Sequence, residues 1–244
     1  MPSAETTLRD EYAAAVEHLS GRTLDAVRDG GGTAAPADPA LPDGDAESTA
    51  HRPLLAAARV LGVNLFAPQL LAGAPPDEAA AALLAEARRT LPEPAAATDG
   101  GALAIAWQDW AALRLLAATP HASGGTPAPT PPTPPGPADV GWQSWSVRMA
   151  QLSGLALPGL DGAVHDSART HTLDLARGTV RAMLRRDPTT AVRLARWLAW
   201  VHADGRPDRL EIGPVLDRIG FVGDGTNRSG LELAIARRLL TDER

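Results

Sequence analysis

Residues 102–118 read ALAIAWQDWAALRLLAA, an apolar run interrupted by Gln108, Asp109 and Arg114. Alanine and leucine favour helix, and a helix that is apolar nearly all round is enclosed by its neighbours. The run is therefore expected as a helix over residues 101–118, central in a bundle. Its interruptions keep it short of the roughly 18 consecutive apolar residues of a membrane span, and no stretch of the chain reaches that length.

Trp107 and Trp110 sit one helical turn apart in this run, and the other four tryptophans repeat the spacing as Trp142 with Trp145 and Trp197 with Trp200. Trp107-Gln108-Asp109-Trp110 and Trp142-Gln143-Ser144-Trp145 flank residues 119–138, which hold eight prolines. Proline removes a donor and biases its neighbour toward extended backbone, so this linker is not helix. In polyproline II form its 20 residues would span about 60 Å, far more than adjacent helices need. Placing position 107 on 142 pairs Leu113 with Arg148 and Arg114 with Met149. The apolar faces disagree after one turn, which favours two separate tryptophan ridges over an internal duplication. Trp107 and Trp110 read as core. Trp142 and Trp145 line a narrower seam that meets either the first half of the chain or a partner.

Outward from these stretches, apolar residues recur at helical spacing. Leu8, Tyr12, Val16 and Leu19 mark a helix over residues 5–29, stopped by Gly30, Gly31 and Gly32, with a flexible Gly/Pro loop over 30–46. Leu54, Leu55, Ala58 and Leu61 mark a second, after which Val63, Leu65 and Phe66 enter the core. Asp77 and Glu78, following two prolines, open a third. Beyond the linker, Asp139 is expected to cap the helix carrying Trp142, Trp145, Met149 and Leu152. One long helix is expected over 161–186, with Leu173, Ala176, Val180, Met183 and Leu184 facing inward. Asp187-Pro188 supplies a cap and a first-turn proline for a helix bearing Leu194, Trp197, Leu198 and Val201. Residues 210–219 read as a short helix, or as a strand over 210–212. Ser229-Gly230-Leu231-Glu232 has the form of a capping box for the last helix. The fold expected is all-α, eight to nine amphipathic helices without substantial sheet, in two helical halves. These are an acidic N-terminal region (1–118), the Pro-rich linker (119–138) and a C-terminal helical domain (139–244).

Composition narrows the function classes. Only nine of the 244 residues are aromatic, so packing rests on leucine, alanine and valine. All 23 basic residues are arginine, which points to a GC-rich coding sequence more than to a function. The net charge of −6 is uneven: residues 1–118 hold 8 Arg against 16 acids, residues 119–244 hold 15 Arg against 13. An acidic front and a mildly basic back do not describe a nucleic-acid binder. Without cysteine there is no disulfide, thiol nucleophile or thiolate metal site. The N-terminus lacks the apolar core of a secretory signal, so the cytoplasm is the expected setting.

Titratable clusters carry little chemistry. His165 beside Asp166 resembles a base with an orienting carboxylate, but neighbours point about 100° apart on a helix. His171, six residues on, lies on the opposite side, so both histidines read as polar surface. Glu47 and His51 can meet at i, i+4, yet two ligands do not make a metal site. Residues 221–230 have a phosphate loop's glycine spacing at Gly225 and Gly230, but Leu231-Glu232 stands where Lys-Ser/Thr is required. A helix N-terminus can still bind an anion, which leaves Gly223, Asp224, Gly225, Thr226, Asn227 and Arg228 as candidates. Arg177, Arg181 and Arg185 form an i, i+4, i+8 stripe suited to an acidic surface, with Arg193 and Arg196 nearby.

No nucleophile elbow, metalloprotease motif or paired Glu-x-x-His occurs. The reading that follows is a non-catalytic helical adaptor or assembly protein without cofactor or metal. Its interaction candidates are Trp142, Trp145, Trp197, Trp200, Arg177, Arg181 and Arg185. A protein partner or self-association is expected, a small molecule is the alternative in a Trp-lined pocket, and nucleic acid and membrane are not expected. A third reading is an enzyme using His165, Asp166 or the loop at Asp224.

Overall fold

The computed structural model describes residues 4–32, 45–92, 99–121, 130–205 and 210–241; the side chains of 4–7, 45–50 and 99 are outside the description. Among the described residues every regular element is helical and no strand occurs. The long helices are α1 (Ala4–Arg28), α2 (Asp45–Leu61), α4 (Glu78–Thr90) and α5 (Asp99–Leu116), then α7 (Trp142–Gln151), α8 (Ala163–Thr170), α9 (Thr172–Leu184), α10 (Pro188–Ala203), α11 (Ile212–Val222) and α12 (Asn227–Thr241). Two short helices, α3 (Ala67–Leu71) and α6 (Pro137–Val140), and two 3-10 turns, Gly62–Phe66 and Ser153–Leu155, connect them.

Side chains on both sides of the Pro-rich segment share one core. α1 packs along α12, the last helix, and a continuous set of buried apolar residues runs from Leu19 to Leu239. The helix most enclosed is α10, not α5: ten of its sixteen residues are buried, between α9, α12, α7 and α11. α5 buries Trp107, Trp110, Ala111 and Leu115 but leaves Ala102, Gln108 and Arg114 exposed. The apolar stretch His51–Leu71 has the length and hydropathy of a membrane span. Here it is broken at Gly62, whose φ of +53° is costly for any residue with a Cβ. Its pieces bury Leu55, Leu61, Val63, Leu65, Phe66 and Leu71 in the core.

Local chemistry sets several boundaries. Asp77 caps α4 by accepting from the Ala80 amide at 2.8 Å. Asp187 caps α10 by accepting from the Thr190 amide at 2.9 Å, with Pro188 in the first turn. Three expectations are corrected. Asp139 does not cap the tryptophan helix; it lies inside α6 and accepts from the Gly136 amide, and Gly141 (φ +77°) separates α6 from α7. The single helix over 161–186 is two, divided at His171, which leaves helical geometry at φ −112°, ψ +36°. α12 starts at Asn227 with Thr226 Oγ1 accepting from the Ser229 amide, so Ser229 is not the cap and Glu232 turns inward instead. Of the two readings of residues 210–219, a short helix or a strand over 210–212, the helix is the one that forms, as α11.

A fourth difference concerns α9. Leu175, Ala176, Gly178, Thr179 and Ala182 form its buried face, while Leu173, Val180 and Leu184, expected inward, are exposed. A Cβ at Gly178 would lie 2.7 Å from the Ser146 side chain and 3.0 Å from that of Leu194. α9 thus approaches α7 and α10 too closely for large side chains, and a small-residue face is turned in.

Within the Pro-rich segment, Pro134 is buried and the Trp107 indole donates to the Pro132 carbonyl at 3.1 Å. This part lies against the body. Residues 122–129, with Pro129 of the expected Pro-x-x-Pro pattern, lie outside the described residues, as do 33–44 of the Gly/Pro loop.

Candidate functional site: an arginine-lined cleft

The six tryptophans are mostly structural. Trp107, Trp145 and Trp197 are under 2% exposed, and Trp110 and Trp200 are also buried. Indole N–H groups of three of them find partners, as burial demands: Trp145 donates to Ser167 Oγ, Trp197 to the Met149 carbonyl and Trp200 to the Leu157 carbonyl. Of the four tryptophans proposed from sequence as interaction anchors, Trp142 alone keeps appreciable exposure, beneath Arg181 at 5.6 Å.

The histidine cluster divides. His165, read from sequence as surface, is fully buried between Trp197 and Trp200, with ring centroids 5.4 and 4.9 Å away. Its Nε2 lies 2.9 Å from the Leu155 carbonyl, so that nitrogen carries the proton, while Nδ1 has no partner. Burial pushes its pKa down, against the opposing pull of the Leu155 bond and Asp161, and the ring is neutral. Asp166 points out and pairs with Arg169, which also binds Asp161 and Asp204. His171 packs edge-on to Trp145. No shared site forms. The side chain of Glu47 lies outside the description, so its pairing with His51 does too.

The loop at 223–226 is closed by its own carboxylate. Asp224 accepts from the Thr226 amide and hydroxyl, from Ser229 Oγ and from Thr189 Oγ1. Although burial works against the anion, these bonds hold its pKa below the usual carboxylate range. The next amide, of Asn227, is taken by Glu17. The chain's own acids occupy the place where an external anion would bind.

The sixth member of that group, Arg228, points elsewhere. With Arg193 and Glu232 it lines one wall of a cleft of about 380 Å³ whose facing wall carries Arg59, Arg88 and Asp109. The last turn of α2 brings Arg59, α4 brings Arg88, α5 brings Asp109, α10 brings Arg193, and α12 brings Arg228 and Glu232. Arg88 hydrogen-bonds Asp109, and Arg59 lies 3.7 Å from the same oxygen. At the rim Gln108 donates to the Gln151 carbonyl.

Behind the cleft lies Arg196, wholly buried. Its guanidinium donates to Glu232 Oε2 at 2.8 Å, to Asn64 Oδ1 at 2.8 Å, and to the Ala156 and Gly154 carbonyls at 3.2 Å each. Ser153 donates to the other oxygen of Glu232 at 2.9 Å. Burial lowers the pKa of Arg196 and Glu232 opposes that; guanidinium starts so high that it stays charged. For Glu232, burial alone would raise the pKa, but Arg196 first and Arg193 second bring it below the usual carboxylate value. The pair joins three parts of the chain: the 3-10 turn at Asn64, the 153–156 segment, and α10 with α12.

Charges in the cleft do not cancel. Asp109 serves Arg59 and Arg88, and Glu232 is satisfied by Arg196 and Ser153. Arg193 forms an ion pair with Glu232 at 3.9 Å, beyond hydrogen-bond range, and among the described residues Arg228 makes no closer contact with an acid, Glu232 and Glu17 acting on it from a distance. Four guanidinium groups thus face two carboxylates in a concave site, where the local field favours an anion. A second, more apolar groove of about 610 Å³ runs beside α4 and the end of α5, around Leu83, Leu113 and Leu116, without a comparable buried polar network. Among the described residues no group of three metal-ligating side chains occurs, and the Ser153 hydroxyl donates to a carboxylate that Arg196 also binds. The arrangement can hold a ligand.

Sequence reading missed Arg59, Arg88, Asp109, Asn64, Ser153 and Glu232. A signal existed for two of them. Asn64 interrupts Val63-x-Leu65 and Glu232 interrupts Leu231-x-Leu233, and a polar residue inside an apolar run needs a buried partner. In comparisons with known proteins, no protein family, curated protein or solved structure matches the chain.

Proposed function

We propose that this is a non-catalytic binding protein whose cleft takes a small anionic ligand, a carboxylate or a phosphate. In this reading the acidic first half and the arginine-rich second half, joined through the Pro-rich segment, form its two walls. The observation that carries it is the placing of Arg193 and Arg228, each without a hydrogen-bonded carboxylate of its own among the described residues, in a concave site over the fixed Arg196–Glu232 pair. Arginine presents a rigid fork matched to carboxylate and phosphate oxygens. Arginines rather than tryptophans line the cleft, which changes the expected ligand from an apolar molecule to a charged one.

Calorimetric titration and thermal unfolding with inorganic phosphate and with citrate, at matched ionic strength, test the proposal. At ten times the dissociation constant a bound ligand stabilises the fold by about 1.4 kcal/mol. Saturable binding that disappears in the double variant Arg193→Ala/Arg228→Ala is expected. Absence of saturable binding, or binding that survives the double variant, overturns the reading.

A second reading, an adaptor or assembly role through protein–protein contact, is supported by a separate observation. Leu173, Val180 and Leu184 are 50%, 40% and 81% exposed on one helix, beside Arg177 and Arg181. The cytoplasm remains the proposed setting for either role.

A further inference from the structure

Charge is not the only surface that the arginine-lined cleft offers. Val60, in the last turn of α2, is 45% exposed although it lines this concavity. On α5, Ile105, Gln108, Asp109 and Ala112 line the same space, and their spacing puts them on one face of the helix. Ile105 is half-buried and stands one turn from the carboxylate that holds Arg59 and Arg88. Large apolar side chains left open inside a concave polar site are where the apolar part of a ligand packs.

The arginines divide by how their charge is met. Arg59 and Arg88 share Asp109. Arg193 and Arg228 come from the packed helices α10 and α12, close enough for one charge to act on the other. Partial enclosure first, and Arg193 second, push the Arg228 pKa down, against Glu232 and Glu17. An anion shared by both guanidinium groups relieves that repulsion. A phosphate ion alone would do so, but it fills a minor part of about 380 Å³ and leaves Val60 and Ile105 against water. That volume is at the small end of ligand sites, which suits an acid with a short chain.

We infer that the cleft takes an amphipathic organic acid, with its anionic head at Arg193 and Arg228 and an apolar chain of a few carbons along Val60 and Ile105. This rests on the anion-binding reading above and adds the chain to the head. A wholly apolar molecule has a roomier site in the groove around Leu83, Leu113 and Leu116. The head is therefore what directs the acid to the arginines.

Calorimetric titration of the full chain with inorganic phosphate, n-butyl phosphate and the straight-chain carboxylates from acetate to octanoate, at one ionic strength, tests this. Each methylene laid on an apolar wall should tighten binding by about two- to fourfold, the lower value for a wall open to water on one side. The gain should stop when the chain outgrows the cleft, and butyl phosphate should bind more tightly than phosphate. Val60→Ser/Ile105→Ser should flatten the series and leave phosphate binding within about twofold. Val60→Ser alone, at an exposed position, should lower the slope, and it keeps the test open if the double variant folds poorly by circular dichroism. If phosphate binds through Arg193 and Arg228 while the series stays flat, this inference fails and the anion reading stands. If no anion binds, or Arg193→Ala/Arg228→Ala binds them as well as wild type, both fail. A slope that survives Val60→Ser/Ile105→Ser, or persists without the two arginines, puts the chain elsewhere and overturns the inference.

Discussion

α9 and α10 lie side by side and treat polarity in opposite ways. α10 hides a guanidinium, with Arg196 wholly buried among apolar neighbours, while α9 turns three large apolar side chains to solvent. Composition does not explain the contrast; what each position meets does. Arg196 finds a carboxylate, a side-chain amide and two carbonyls, so its burial is satisfied. α9 finds Ser146 and Leu194 so close to Gly178 that only small residues fit between. Burial here follows the available partner and the available space, with hydrophobicity as one term among them.

The sharpest way to break the contrast is to remove the partner that makes the buried charge tolerable. Arg196→Ala leaves Glu232 buried without its counter-ion, and loss of one member of such a pair costs about 3–5 kcal/mol. Urea denaturation should show a drop of that size. Replacing both groups, as Arg196→Met/Glu232→Leu, should recover much of the loss, since apolar side chains of similar size fill such sites well. If the double variant is as unstable as the single one, the network's bonds to Asn64, Ser153 and the two carbonyls matter more than charge pairing.

A smaller effect tests the other polar group that α10 encloses. His165 sits between Trp197 and Trp200 with one ring nitrogen unpartnered, and its pKa is lowered. The unfolded chain takes up a proton near pH 6.5, while the folded ring resists it. Over that interval the unfolded state binds more protons, so stability falls as pH drops below about 6.5 and levels off beneath the folded pKa. Between pH 6.5 and 5.5 the loss should reach at most about 1 kcal/mol. Glu232 and Asp224, with pKa values below the ordinary range, lose their contributions only at more acidic pH. Stability measured by urea across pH 5.5–7.5 should therefore slope in wild type and flatten in His165→Gln, whose amide can still donate to the Leu155 carbonyl. An equal slope in both would place the titration elsewhere.

The fold class was legible because alanine and leucine at helical spacing leave little alternative, and because Asp77, Asp187 and Pro188 mark helix starts by their own chemistry. Boundaries fixed by backbone geometry, at Gly141 and His171, carried no comparable mark. The core positions of Trp107 and Trp110 could be read from an apolar run. Those of Trp145, Trp197 and Trp200 depended on acceptors from other segments, the Ser167 hydroxyl and the Met149 and Leu157 carbonyls. The cleft was the least legible part. Arg59, Arg88 and Asp109 converge with Arg193 and Arg228 across more than a hundred residues of sequence, and periodicity says nothing about which faces meet. The outward row of α9 was misread for a related reason. A helical wheel with Leu173, Val180 and Leu184 on one side and Leu175, Ala176 and Ala182 on the other offers two apolar faces, and the larger side chains make the more persuasive core until Gly178 is seen between two neighbouring helices.

The last and smallest effect sharpens the comparison from the side of α9. Leu184 is 81% exposed, so serine there removes little apolar area that folding had withdrawn from water. It stands at the last residue of its helix, where helix propensity counts least. Leu184→Ser should change stability by no more than about 0.5 kcal/mol, against the several expected for Arg196→Ala one helix away. The polar-for-apolar change that hydrophobicity alone would call severe is then the mild one, and loss of a charge the severe one. A Leu184→Ser variant losing more than about 2 kcal/mol would mean that the row is covered by something in the folded monomer, and that α9 has no free face.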